Sequence, residues 1–274
     1  MTIPPPEPPP HGFPEPPTQH VPVPPSDSEA QHEQTPDRLS ALLIGVIVVA
    51  LVLAGLLGAE LYARHVADSI VSKAVSCVVQ DGSKVSFGLR PFLIQHLTHS
   101  YRDMVVDTAG NQIREAKGMT LHLRLDDIRL ERTADGAGTL GALDADVSWS
   151  ADGIKQTAQT IIPFLGGLVS GVNTDPGNGT IELQGPLGTV TVMPTVSQGQ
   201  LQLQVAGVSG LGFALPRETA QPALDAFTTA LTANLPMGIH AESVAVTDGG
   251  VTARFIARDA TIPNGQADPC FQGI

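Results

Sequence analysis

Little in this sequence invites a reaction or a charged polymer. Aromatic residues make up 4% of the 274-residue chain, and the single tryptophan is Trp149. That scarcity removes the stacking platforms that sugars and single-stranded nucleic acids use. Positive charge is scarce too: 15 Lys and Arg stand against 27 Asp and Glu, a formal net charge of −12. With no basic stripe to neutralise phosphates, a nucleic-acid partner is excluded. The same balance argues against broad electrostatic adhesion to anionic lipid surfaces.

Cysteine is nearly absent, with two in the chain, Cys77 and Cys270. They read either as two buried thiols or as one disulfide closing almost all of the chain between them. The second reading needs an oxidising compartment. It would stabilise the fold by something on the order of 4 kcal/mol through chain entropy.

No catalytic or metal-binding constellation assembles from the sequence. Gly136, Gly138 and Gly141 match the spacing of a dinucleotide-binding loop, but a strand follows them where that site needs a helix. Asp144 and Asp146 flank Ala145 like a metal-holding carboxylate pair, yet in an alternating strand they share one solvated face. His96 and His99 lack a third ligand of suitable spacing. Gly207-Val208-Ser209-Gly210 lacks the second glycine position of a nucleophile elbow. Cys77 has no evident His partner. The expectation is a protein that is not an enzyme and carries no cofactor and no metal.

Proline and uncharged apolar residues are what the chain has in quantity. Residues 1–37 contain PPPEPPP, FPEPP and VPVPP. Such a segment cannot bury enough apolar surface to offset its ordering entropy, so it reads as a disordered tail. Residues 41–59, ALLIGVIVVALVLAGLLGA, hold no charge. At the helical rise, about 20 such residues cross a hydrocarbon core about 30 Å thick. We expect a single transmembrane anchor over residues 38–61 and one folded domain over 62–274. The late start of the apolar run and its acidic leader suit a signal-anchor better than a cleaved signal peptide. Ala50, Ala54 and Gly58 form a small-residue ridge that would suit a homodimer through the anchor helix. Arg38 precedes the run, while Arg64 and Lys73 follow it, so a literal count of positive charge slightly favours the opposite orientation. Long domains translocate largely regardless of that count. The cysteine pair favours a cytoplasmic tail and an extracytoplasmic domain, in a single-pass cell-membrane protein.

After the run, Val66, Ile70, Val71, Ala74, Val75 and Val78 recur at helical spacing. Short alternating strands follow, the clearest around residues 119–130, with DADVSWS as its expected partner. Segment 154–172 begins as a helix, TIELQ, TVTVMP and QLQLQVAG alternate as strands, and 216–235 reads as a second helix. The last strands form a hairpin about Asp248-Gly249-Gly250. The fold class is α+β, with helices covering the apolar face of an antiparallel sheet. Packing of those helices decides what the domain does. Composition alone favours a solid core and a structural or scaffolding role, with the proline-rich tail recruiting a partner. An oily hollow would instead suit acyl chains, which need no reactive group. The residues to line it are Phe92, Leu93 and Leu97, then Ile161, Phe164, Leu165 and Leu168, then Leu224, Phe227 and Leu231.

Two short patterns carry a resemblance. One is Pro-Phe-Leu-x-Gln-x-Leu at Pro91, Phe92, Leu93, Gln95 and Leu97. The other is Leu-x-Leu-Asp-Asp-Ile-x-Leu at Leu123, Leu125, Asp126, Asp127, Ile128 and Leu130. Following an Ala/Val-rich amphipathic helix, they resemble the LmeA-like phospholipid-binding family of bacterial envelope proteins, over about residues 60–270. Arg90 stands where the family has a glycine, and the proline-rich tail is outside its pattern. The resemblance implies a tubular lipid-binding-like fold, in which a long helix packs on a curved antiparallel sheet. It also implies a phospholipid ligand, phosphatidylinositol type among them, and support of envelope lipid or lipoglycan assembly. No catalytic residues transfer with it.

Overall fold

A computed structural model describes residues 38–131, 136–161, 167, 169–186, 188–210, 213–214, 221–232, 235–263 and 270, without the side chains of 213, 214, 223, 230, 231 and 236. The chain divides into two units, Met1–Leu51 and Val52–Ile274. The described part of the first is entirely helical and exposed. It opens α1, Arg38–Val79, a 42-residue helix. Among the described residues this is the one helix long and apolar enough to cross a membrane.

In the second unit, the carboxyl half of α1 lies along β1 (Ser83–Phe87). Among the described strands β1 is at the edge, with no strand beside its outward N–H groups. Serines of α1 take that place. Ser76 Oγ accepts from the Ser83 amide at 3.0 Å, and Ser72 Oγ accepts from the Val85 amide at 3.1 Å. The Ser83 hydroxyl donates back to the Ser72 carbonyl at 2.8 Å. Ala74 and Val79 of the helix are buried, as are Val85 and Val106 of the sheet.

The chain continues through α2 (Phe92–Leu97), β2 (Ser100–Tyr101), β3 (Met104–Thr108), β4 (Gln112–Ile113), β5 (Ala116–Lys117), β6 (Met119–Arg129) and β7 (Gly138–Ser150). Next come α3 (Ala151–Ile161), β8 (Gly171–Asp175), β9 (Thr180–Gly185), β10 (Gly188–Ser197), β11 (Gln200–Gly210) and β12 (Phe213–Ala214). The described chain closes with α4 (Gln221–Thr232), β13 (His240–Thr247) and β14 (Gly250–Ile262). The class is α+β, as expected, and the strand pairings are antiparallel. The described strands divide between a seven-stranded sheet, ordered β1-β3-β6-β7-β14-β13 with β2 beside β6, and a five-stranded sheet, β12-β11-β10-β9-β8. β4 and β5 form a separate short pair.

The expected pairing of DADVSWS with the 119–130 strand is present, with Leu121 opposite Val147 and Leu125 opposite Leu143. The β13–β14 hairpin turns at Asp248 and Gly249, with Thr247 opposite Gly250. One row of the large sheet is irregular. Pairing of β6 with β7 skips Asp127, and pairing of β14 with β7 skips Asp259, both opposite Gly141. Asp127 and Asp259 have φ of 53° and 47°. The register is the same on both sides of this row, so Asp127 and Asp259 face Gly141 from the two neighbouring strands without an inserted residue. Gly141 is required there, because a Cβ would stand 2.9 Å from the Asp127 Cβ.

One apolar cluster, Ile128, Leu140, Leu143, Ala145, Ala257 and Ala260, lies on the large sheet. A second joins Ile181, Val192 and Val205 of the small sheet to Leu224 of α4, with Val246 and Val251 packed against it. Cys77 of α1 and Cys270 form a disulfide, with Cα atoms 5.6 Å apart and a sequence separation of 193 positions.

Candidate lipid-binding site

The helices α3 and α4 decide what lies over the second cluster. β7 runs directly into α3, and Ser150 caps it by accepting from the Gly153 amide at 3.1 Å. The helix sits so close to β5 that a Cβ on Gly153 would fall 2.2 Å from the Lys117 carbonyl oxygen. Thr157, fully buried, accepts from the Lys117 amide at 2.8 Å. Trp149 donates its indole N–H to the Lys117 carbonyl at 2.7 Å. The indole is thereby held flat against Phe227 of α4, with ring centroids 6.0 Å apart and planes 8° from parallel.

Besides its apolar contacts, α4 bonds to the small sheet through one side-chain amide. Among the described residues no strand lies beside Leu203 and Val205 on the outer edge of β11. Gln221 fills the gap: its Oε1 accepts from the Val205 amide at 2.9 Å, and its Nε2 donates to the Leu203 carbonyl at 2.8 Å. Leu224 and Phe227, three residues apart, then point inward and are buried.

Between these elements is an apolar cavity of about 70 Å³. Trp149, Ile154 and Ala158 form one side, Ile181, Leu183, Val192, Leu201 and Leu203 the sheet side, and Leu224, Phe227 and Val251 close it. Along the other flank of α4 runs a groove of about 680 Å³. It shares Leu201, Leu203, Thr228 and Thr232 with the cavity. Half of its remaining lining residues are carboxamides or a hydroxyl, Gln200, Gln202, Gln204, Gln221 and Thr229; Leu235, Ile239 and Phe255 are apolar, Asp225 is the one charge, and there is no Lys or Arg among its described lining residues. An oily pocket thus adjoins a hydrogen-bonding trough whose one charge is a carboxylate. That pairing suits an amphiphile, with its tail on one side of α4 and its head on the other.

Of the residues expected to line a hollow, Leu224 and Phe227 do so. Ile161 is half-buried at the end of α3 and outside the lining. Phe164, Leu165 and Leu168 lie outside the described residues, and so does the side chain of Leu231. Phe92, Leu93 and Leu97 are elsewhere, on α2. Phe92 is buried against Phe87, at a centroid distance of 5.1 Å, and Tyr101, while Leu93 and Leu97 face outward. Trp149, Ile154 and Ala158 have no counterpart in the sequence reading. An alternating strand does not say which of its faces an incoming helix will cover, and Phe227 is 78 positions from Trp149.

The motifs set aside for catalysis have structural partners. Asp144 binds Arg254 at 2.6 Å and Arg258 at 3.1 Å, and the two guanidiniums hold its carboxyl below the usual range. His96 meets the Tyr101 hydroxyl at 3.0 Å. Among the described residues, no group of three or more His, Cys, Asp or Glu could hold a metal.

The chain matches the sequence model of a family described as LmeA-like phospholipid-binding over residues 54–256. It is also similar to curated relatives, an uncharacterized protein of Mycobacterium bovis and others of Mycobacterium tuberculosis. Each is 51% identical over 240 residues, which cover 87% of this chain and 69% of the relative. No solved structure matches the chain.

Proposed function

We propose, from the premise that the chain belongs to the LmeA-like phospholipid-binding family, that its folded part takes up a phospholipid acyl chain beneath α4. The observation that carries this is the cavity walled by Trp149, Leu224 and Phe227, which shares Leu201, Leu203, Thr228 and Thr232 with the trough beside α4. At about 70 Å³ it is smaller than the ~150 Å³ hollow that admits one benzene ring. An acyl chain therefore enters only as α4 swings outward, with Gln221 releasing β11. The headgroup would rest among the glutamines and threonines of the trough, whose hydrogen-bonding groups suit the hydroxyls of an inositol ring, as in a lipid of the phosphatidylinositol type. The role is holding or handing over lipid rather than a chemical step, in support of envelope lipid or lipoglycan assembly.

In this reading residues 41–59 span the cell membrane once, residues 1–37 face the cytoplasm and 62–274 face the envelope space. The Cys77–Cys270 disulfide supports that side, because it persists in oxidising compartments. The ridge of Ala50, Ala54 and Gly58 would pair two copies. Around Gly58 nothing lies within 4 Å of a Cβ position.

The test is lipid capture by the full-length protein, wild type against Phe227→Asp. Lipids around the anchor are common to both and cancel in the comparison. Loss of captured phospholipid with an unchanged circular dichroism spectrum supports the cavity. The small size of the cavity favours a second reading, a solid-cored scaffold, and unfolding of Phe227→Asp without any difference in lipid would select it.

A further inference from the structure

The tip of the large sheet beside α2 is built like a membrane-facing edge. Glu60 is the first charged residue after the uncharged run that ends at residue 59. Its carboxylate caps α2, accepting from the Phe92 amide and, at 3.0 Å, from the Leu93 amide. One turn on, Arg64 pairs with Glu60 at 3.2 Å and donates to the carbonyls of Gly88 at 2.9 Å and Arg90 at 2.8 Å. These bonds fix α2 at the height of residues 60–64, directly where the apolar run ends. Leu61 and Tyr62, at the same height, are both exposed. An aromatic residue there is the usual marker of a bilayer interface.

What α2 presents at that height is apolar. Leu89 is 99% exposed, Ile94 60% and Leu97 81%. Beside them lies a concavity of about 380 Å³ whose rim includes Arg90, Ser100 and Arg102. Buried Gln95 shapes it: the amide of Gln95 donates to the Arg90 carbonyl at 3.1 Å and accepts from the Arg102 backbone N–H at 2.8 Å. In a chain of net charge −12, two arginines stand next to bare leucines here, Arg102 at 3.8 Å from the Asp127 carboxylate and Arg90 without an ion pair among the described residues. Apolar side chains flanked by guanidiniums match the boundary between acyl chains and phosphates.

We infer that α2 and the Leu89 loop lie in the bilayer interface, with Leu89, Ile94 and Leu97 among the upper acyl carbons and Arg90 and Arg102 against acidic headgroup phosphates. This rests on residues 41–59 spanning the membrane. It gives α2 a role separate from the cavity under α4: it seats the domain flat on the lipid from which that cavity would be filled.

Depth labelling of the full chain in lipid nanodiscs tests it. Single cysteines at Ile94→Cys, Leu97→Cys, Ile47→Cys within the run and Asn178→Cys in the β8–β9 turn would each carry an environment-sensitive fluorophore, without reduction of the native disulfide. Emission at Ile94 and Leu97 should shift to the blue and be quenched by doxyl-labelled lipid, as at Ile47, while Asn178 stays aqueous. Quenching at Ile94 should rise with the acidic-lipid fraction, and Arg90→Gln with Arg102→Gln should remove that dependence. An aqueous Ile94 with a quenched Ile47 overturns the inference and leaves the membrane span standing. A shielded Ile94 that doxyl lipid does not quench means a second protein copy covers it, and also overturns it. If Ile47 is aqueous as well, the span and the inference fall together.

Discussion

Gly141 has a neighbour that no side chain could share. With Asp127 and Asp259 facing it from the two neighbouring strands, a Cβ at Gly141 collides with the Asp127 side chain. Gly141→Val should destabilise the domain by about 1–3 kcal/mol in a denaturant titration, a typical overpacking cost. At the helix–sheet corner, Asp81 gathers four donors: the Asn111 side chain at 2.9 Å and the amides of Gly82, Asn111 and Gln112. The Asn111 side chain first, then those amides, lower its carboxyl to about 2. A depressed acid stabilises above its unfolded pKa of about 4. That contribution should be whole above pH 4 and fade as pH falls toward 2. Asp81→Asn should flatten the dependence of stability on pH within that window and leave neutral pH little changed in slope. Neither residue could be ranked from the sequence. The residue that faces Gly141 is set by the neighbouring strand, and three of the four donors to Asp81 come from 30 or 31 positions away.

Among the elements, those with period-two patterns were legible. β9, β10 and β11 alternate strictly, and the β13–β14 hairpin follows from Asp-Gly-Gly at its turn. α2 was legible only as an apolar patch. It is six residues long, and its cap is Glu60, 32 positions upstream of Phe92. No local rule encodes such a cap. α4 was legible as an apolar face, since Leu224 and Phe227 recur at helical spacing, but its partner Trp149 was not. The division of the strands into two sheets was also hidden, because alternation marks a strand and not its neighbour. Gln221 is the element's hinge point, holding α4 to a bare stretch of β11 by two hydrogen bonds. Gln221→Ala leaves the Val205 amide and Leu203 carbonyl unpaired and should cost about 1–3 kcal/mol locally. Hydrogen exchange should quicken at Val205 and across α4 while β6 and β7 keep their protection. Unchanged exchange at α4 would mean that the apolar contacts alone hold it.

For the molecule as a whole, the disulfide ties α1 to the far end of the described chain. Cys77→Ser with Cys270→Ser should lower stability by about 2–5 kcal/mol, the usual effect of removing a native bridge. In intact cells, both cysteines should resist alkylation until a reductant is added; labelling without reductant would place the domain in a reducing compartment. The α+β class, the long helix and the family were all open to sequence reasoning, because each rests on runs and short patterns. The cavity was not, because it is the space that three distant elements leave between them. Photo-cross-linking with a phospholipid carrying a reactive group near the acyl terminus addresses that space most directly. Adducts on α3, α4 and the Leu201 to Val205 stretch of β11, lost in Phe227→Asp, are the expected result. Adducts confined to residues 41–59 in both proteins would mean that lipid touches only the anchor and that the folded part holds none.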